Sequence, residues 1–192
     1  SRVVFACNST NLVEGESTDE WRIYLRDLES DELQLVSPTG DPTWNGGPQI
    51  TPDGRYVVFQ TAAVEDARRS HRSQIYMRDL KTGDLTLVSK SAAGEAGHGW
   101  SGMPFVSADA RYVAFRSSAD NLTGTPTDRG GVFVKDMQTG EVRRASVTED
   151  GDPLHVSEVT MSADGRYVGF YATDGELLGG TDETVWTVAV KD

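Results

Sequence analysis

Three groups of side chains in this 192-residue sequence have types and positions suited to chemistry. The first is Trp44 with Asn45, then His98 with Trp100 and Ser101, then His155 with Ser157. Aromatic rings beside an amide, an imidazole and a hydroxyl suit recognition of a ligand or peptide: the rings supply apolar area and the polar groups fix orientation. The second is Arg68-Arg69-Ser70-His71-Arg72, a basic cluster in an acidic chain. It would dock an acidic partner or a phosphate-bearing ligand, or else pair locally with Glu65 and Asp66. The third is a scatter of loop carboxylates, Glu14, Glu16 and Asp19 with Asp128 and Asp182. Calcium takes roughly six to eight oxygen ligands, so these are the candidate metal ligands and Ca²⁺ the candidate cofactor. Their spacing matches no EF-hand, and Asx-turns account for the same residues without a metal.

Catalytic patterns are missing. There is no His-Glu-x-x-His, no glycine-rich phosphate loop opening a helix and no Cys-x-x-Cys. Gly99-Trp100-Ser101-Gly102 lacks the Gly-x-Ser-x-Gly spacing of a nucleophile elbow and its strand-turn-helix setting. His98 is close to Ser101 along the chain, but a general base is placed by the fold and not by sequence proximity. The single cysteine, Cys7, excludes an internal disulfide and reads as a small hydrophobe ending a strand. A formal net charge of −12 repels phosphate backbones and anionic lipid, which argues against nucleic-acid and membrane-surface partners. The apolar runs are far shorter than a membrane span.

The elements that must position these residues recur. Arg2-Val3-Val4-Phe5, Arg55-Tyr56-Val57-Val58-Phe59, Arg111-Tyr112-Val113-Ala114-Phe115 and Arg166-Tyr167-Val168-Gly169-Phe170 align, with their Phe residues 54, 56 and 55 positions apart. Each is the second strand of its blade, and a third follows, ending Arg26-Asp27-Leu28, Arg78-Asp79-Leu80, Lys135-Asp136-Met137 and Lys191-Asp192. A fourth recurs at Leu33 to Ser37, Leu85 to Ser89 and Val142 to Ser146. Asp-Gly and Thr-Gly between them are turn chemistry, because glycine takes positive φ without steric cost. The Tyr-Val-Val-Phe runs are continuously apolar, as a strand buried on both faces requires. A sandwich would also have many short strands, but it would not repeat every fourth one.

The pattern Ser-x-Asp-Gly-Arg-Tyr-Val-x-Phe, an Asn-Leu loop, and a strand ending Arg-Asp-Leu-x-Thr-Gly resembles the TolB-like, WD-type propeller repeat over almost the whole chain. The resemblance implies an all-β propeller of four-stranded antiparallel blades, and it slightly favours an extracellular or periplasmic location. It says little about function, since such repeats serve in scaffolds, in periplasmic interaction proteins and in domains attached to enzymes.

The expected arrangement is a single propeller domain over 1–192, with blade 1 at 1–47, blade 2 at 48–103, blade 3 at 104–158 and an incomplete blade 4 at 159–192. Blade 1 lacks its innermost strand and blade 4 its outermost, so about 3.5–4 blades are present. This and the absence of an initiator Met predict an excised stretch of a larger propeller. An irregular four-bladed ring, or completion by a second chain, are the other readings.

Long, irregular segments all fall on one face: the connections between blades and those between second and third strands, which carry all three groups. The expected function is a non-catalytic binding or scaffold propeller whose loop face contacts a protein, peptide or glycan. The alternative is the propeller portion of an enzyme, either hydrolase-associated or with a channel-mouth site of His and carboxylates. For the tryptophans, a further reading is that each plugs the gap between adjacent blades.

Overall fold

The computed structural model describes residues 1–9, 12, 20–38, 44–62, 73–124, 130–154 and 156–172, and the backbone of 185–190. Its elements are fourteen strands: β1 (Arg2–Cys7), β2 (Arg22–Asp27), β3 (Leu33–Leu35), β4 (Asn45–Ile50), β5 (Tyr56–Ala62), β6 (Ser73–Asp79), β7 (Leu85–Leu87), β8 (Ser101–Val106), β9 (Tyr112–Ser117), β10 (Gly131–Asp136), β11 (Val142–Arg144), β12 (Val156–Met161), β13 (Tyr167–Ala172) and β14 (Val185–Val190). They form four antiparallel sheets in chain order: β1-β2-β3, β4-β5-β6-β7, β8-β9-β10-β11 and β12-β13-β14. Each sheet is one turn of the sequence repeat.

The central strands are buried on both faces, which is why they carry no polar alternation. Val57 and Phe59 pack with Ile23, Leu25 and Val36 of the first sheet. From the other face of the same sheet, Val58, Ile75 and Val88 meet Val113, Phe115 and Phe133 of the third. Ala114, Val132 and Val134 then meet Val159, Val168 and Phe170 of the fourth. The core is thus a series of layers between successive sheets. Polar ties supplement them: the buried Lys135 Nζ donates to Lys90 O at 3.2 Å and to Gly140 O at 2.7 Å, joining the third sheet to the segment after β7.

The face holding the turns from innermost to second strand is built from one repeated motif. Asp53, Asp109 and Asp164 each accept from the preceding Thr51, Ser107 or Ser162 hydroxyl and from the backbone N–H of Arg55, Arg111 or Arg166. Arg55 also donates to Asp79 at 2.7 Å and Arg111 to Asp136 at 3.0 Å, tying the start of the second strand to the end of the third. These bonds hold Asp79 down to about 2 against the opposing effect of its partial burial.

Two expectations about strand limits need correction. The inner strands begin at Asn45, Ser101 and Val156, ahead of the blade starts expected at 48, 104 and 159. The cause is a β-bulge in each: pairing passes from Gly46↔Gln60 to Gln49↔Val58, from Gly102↔Arg116 to Phe105↔Ala114, and from Val156↔Ala172 to Val159↔Phe170. One extra residue per strand breaks the alternation that marks a strand in sequence. Gly47 takes φ 57° there and Met103 takes φ 53°. In the fourth sheet, Val190 stands opposite Tyr167, where Asp79 and Asp136 stand opposite Tyr56 and Tyr112. The alignment of Asp192 with those aspartates is therefore not the register formed.

Candidate functional site

The loop face gathers part of the first group of residues. Trp44 and Trp100 immediately precede β4 and β8, and each ring lies over the glycine two positions on. A Cβ built on Gly46 would come within 2.5 Å of the Trp44 ring, and one on Gly102 within 2.3 Å of Trp100. The two form a repeated Trp-x-Gly-x-Pro motif, Trp44-Asn45-Gly46-Gly47-Pro48 and Trp100-Ser101-Gly102-Met103-Pro104. Glycine is required at the third position because the ring occupies the space of its side chain. The motif could have been found from its 56-residue recurrence, but it sits at the irregular start of the strand, outside the apolar pattern that defines the repeat.

Trp44 stays 39% exposed, so its ring is folded back on its own strand and presents a surface to solvent. Trp100 is half-buried; the Arg116 guanidinium lies 5.6 Å from its ring centre, within cation–π range. Its backbone N–H donates to Ser118 Oγ at 3.0 Å. Exposed Met103 and Trp21 add apolar surface to the described residues of this molecule, with Met103 three positions beyond Trp100 on β8.

Asn45 and Ser101 are strand residues and fully buried. The Asn45 amide donates to Trp21 O at 2.8 Å, and Ser101 Oγ lies 2.9 Å from Ser117 Oγ. The Asn45 side chain serves the contact between the first and second sheets, and that of Ser101 a cross-strand contact within the third. The Ser101 hydroxyl is therefore not presented as a nucleophile to anything on the surface.

His98 is exposed. Its Nε2 is 3.0 Å from Glu95 Oε1 and its Nδ1 3.4 Å from Asp120 Oδ1, so each ring nitrogen faces a different carboxylate. Its backbone N–H donates to Asn121 Oδ1, and Asn121 Nδ2 donates to Ala96 O. The cluster ties the segment after β7 to the segment after β9. Sequence reading missed Glu95 and Asp120 and met Asn121 only in the recurrent Asn-Leu loop; the packing of two distant loops brings the three together. Among the described residues no group of three or more His, Cys, Asp or Glu is placed to hold a metal ion.

His155 lies outside the described residues, as do Arg68, Arg69, His71 and Arg72 of the basic loop and the carboxylates Glu14, Glu16, Asp19, Asp128 and Asp182. On the opposite face a cavity of about 230 Å³ opens beside β9–β11. Its charged lining is neutralised within the protein: Arg111 pairs with Asp136 and Arg143 with Glu141 at 2.7 Å.

No family model and no curated protein sequence matches the chain. Solved structures do. TolB from Acinetobacter baumannii matches with a TM-score of 0.57 at 18% identity, over 90% of this chain and 38% of that one. The β-propeller domain of the Trilobed protease from Pyrococcus furiosus, described as having an open velcro topology, matches with a TM-score of 0.59 at 15% identity, over 97% of this chain and 50% of that one. The fold is a TolB-like β-propeller. Oligogalacturonate lyase in complex with manganese shares it, with a TM-score of 0.54 at 16% identity over 100% of this chain and 46% of that one. The propeller fold thus occurs in enzymes and in proteins of other kinds, and at these identities it does not fix the activity of this chain. This chain spans half the length of these structures or less. No helix among its described residues is long and apolar enough to cross a membrane.

Proposed function

We propose that this TolB-like propeller is a non-catalytic binding module whose loop face takes an extended peptide segment of a protein partner. The observation that carries this reading is the pair of tryptophans held on glycines at the starts of β4 and β8. A ring backed by strand backbone loses little entropy on binding, and tryptophan is among the residues that dominate interface energetics. Trp44 is the more open of the two, and Met103 supplies adaptable apolar surface nearby. The net charge of −12 favours a neutral or basic segment. The resemblance to TolB-type repeats favours an extracellular or periplasmic setting.

The catalytic alternative draws on His98 between Glu95 and Asp120, but the neighbouring hydroxyl, Ser101 Oγ, is buried against Ser117. Selection from a random phage-displayed peptide library tests the binding reading. Peptides enriched on the wild-type protein should lose at least tenfold in affinity against Trp44→Ala or Trp100→Ala. Enriched peptides indifferent to both substitutions would place the binding surface elsewhere.

A further inference from the structure

Arg116 stands one position before the loop-face end of β9. In the pairing with β8 it lies opposite Gly102, the glycine beneath the Trp100 ring. Its guanidinium carbon is over that ring, 5.6 Å from the centre. The residue is half-buried, and among the described residues it makes no hydrogen bond and no ion pair.

This isolation contrasts with the rest of the chain, in which 30 Asp and Glu face 18 Lys and Arg. Arg2, Arg22, Arg26, Arg55, Arg111 and Arg143 each pair with a carboxylate. The buried Lys135 and the half-buried Arg144 reach backbone carbonyls. In the two loops that flank Trp100 and Arg116, the described carboxylates Glu95 and Asp120 face the His98 ring instead. The second sheet shows what an internal partner would look like. There the equivalent residue is Gln60, opposite the glycine beneath Trp44, and its Nε2 donates to Ser73 Oγ at 2.6 Å. Ser73 stands two residues before Ile75, the partner of Gln60 on β6. Two residues before Val132, the partner of Arg116 on β10, stands Gly130, which has no side chain to offer. The third sheet thus carries a charged donor at this place and omits the acceptor.

We propose that Arg116, held on the Trp100 ring, is the carboxylate-binding subsite of the peptide surface, taking one carboxylate of the bound segment from an Asp or Glu side chain or from its C-terminus. The inference rests on the reading of the loop face as a peptide-binding surface. A guanidinium presents its N–H donors in a planar fork that matches a carboxylate, and an aromatic face beneath it leaves the edge of that fork free to bind. The ring also restricts the side chain beforehand, so less freedom is lost when the ion pair forms. The net charge of −12 opposes a phosphate monoester, which carries about −1.5 to −2, more than a singly charged carboxylate. The segment remains neutral or basic as a whole and brings a single negative group to this one place.

Two random peptide libraries test the assignment on the whole chain, one fused at the peptide C-terminus and one ending in a free carboxylate. Peptides enriched on the wild-type protein are resynthesised with their recurrent Asp or Glu changed to Asn or Gln, or with the C-terminus amidated. Each is titrated into wild type, Arg116→Met and Arg116→Lys. Neutralising the carboxylate should cost about tenfold in affinity on wild type, the order expected of a charge-assisted pair, and nothing on Arg116→Met. The neutralised peptide should bind wild type and Arg116→Met equally, as a misfolded variant would not. Arg116→Lys keeps the charge without the fork and should fall between the two. A recurrent acidic residue in the fused library assigns the carboxylate to a side chain, and enrichment of free-ended peptides alone assigns it to the C-terminus. Peptides weakened by Trp44→Ala or Trp100→Ala, whose neutralisation costs nothing or costs the same on wild type and Arg116→Met, would overturn the subsite and leave the peptide surface standing. Peptides indifferent to Trp44→Ala, Trp100→Ala and Arg116→Met alike would overturn both.

Discussion

At the scale of single residues, the tightest constraint is the glycine beneath each tryptophan. Gly102→Ala places a methyl carbon within about 2.3 Å of the Trp100 ring and 2.6 Å of Gln60 Oε1, so one or both must move. The expected cost is about 1–3 kcal/mol in urea denaturation, the usual range for overpacking. Trp100→Ala in the same chain should recover much of that loss, because it removes the first of the two clashes. The Arg–Asp pairs of the turn face make a separate, pH-dependent prediction. Asp79 is held at about 2 by hydrogen bonds from Arg55 and a backbone N–H, below its unfolded value of about 3.9. Its contribution to stability is therefore complete above about pH 4 and is lost as pH falls towards 2. Urea midpoints across that window should fall less steeply for Arg55→Gln than for wild type.

At the scale of elements, the bulges in β4 and β8 set the geometry of the site by turning each strand just after its tryptophan. Gly47 sits in that bulge at φ 57°, with the nearest outside atom, Pro104 Cδ, 3.5 Å from where a Cβ would stand. Space is adequate there and backbone conformation is not. Gly47→Val should destabilise by about 1–2 kcal/mol, the cost of a left-handed conformation for a residue with a Cβ. Gly124→Ala, at a glycine with open space and no positive φ, should leave the thermal midpoint near wild type. The same bulges explain where the sequence was legible. The second and third strands announced themselves through Tyr-Val-x-Phe and Arg-Asp-Leu, because burial on both faces demands continuous apolar residues. The inner strands were read as starting late because an extra residue at Gly47, Met103 and Ser157–Glu158 interrupts their pattern. Glu95 and Asp120 could not be read at all, and Asn121 only as part of the Asn-Leu loop: nothing local joins two loops 23 residues apart around His98.

At the scale of the whole molecule, one face is a repeated frame and the other carries the tryptophans, the histidine cluster and the irregular loops. On the frame face, aspartates, hydroxyls and arginines satisfy one another, and the charged lining of its cavity is paired. On the loop face, Trp44 stands open. The account therefore requires that a bound peptide cover the loop face and leave the frame face untouched. Hydroxyl-radical footprinting of the chain, free and saturated with a peptide selected on it, distinguishes the two by mass spectrometry. Trp44 and Met103 should become protected, while Tyr167, equally exposed but on the frame face, should oxidise at its free rate. Protection of Tyr167 with Trp44 and Met103 unchanged would contradict the account.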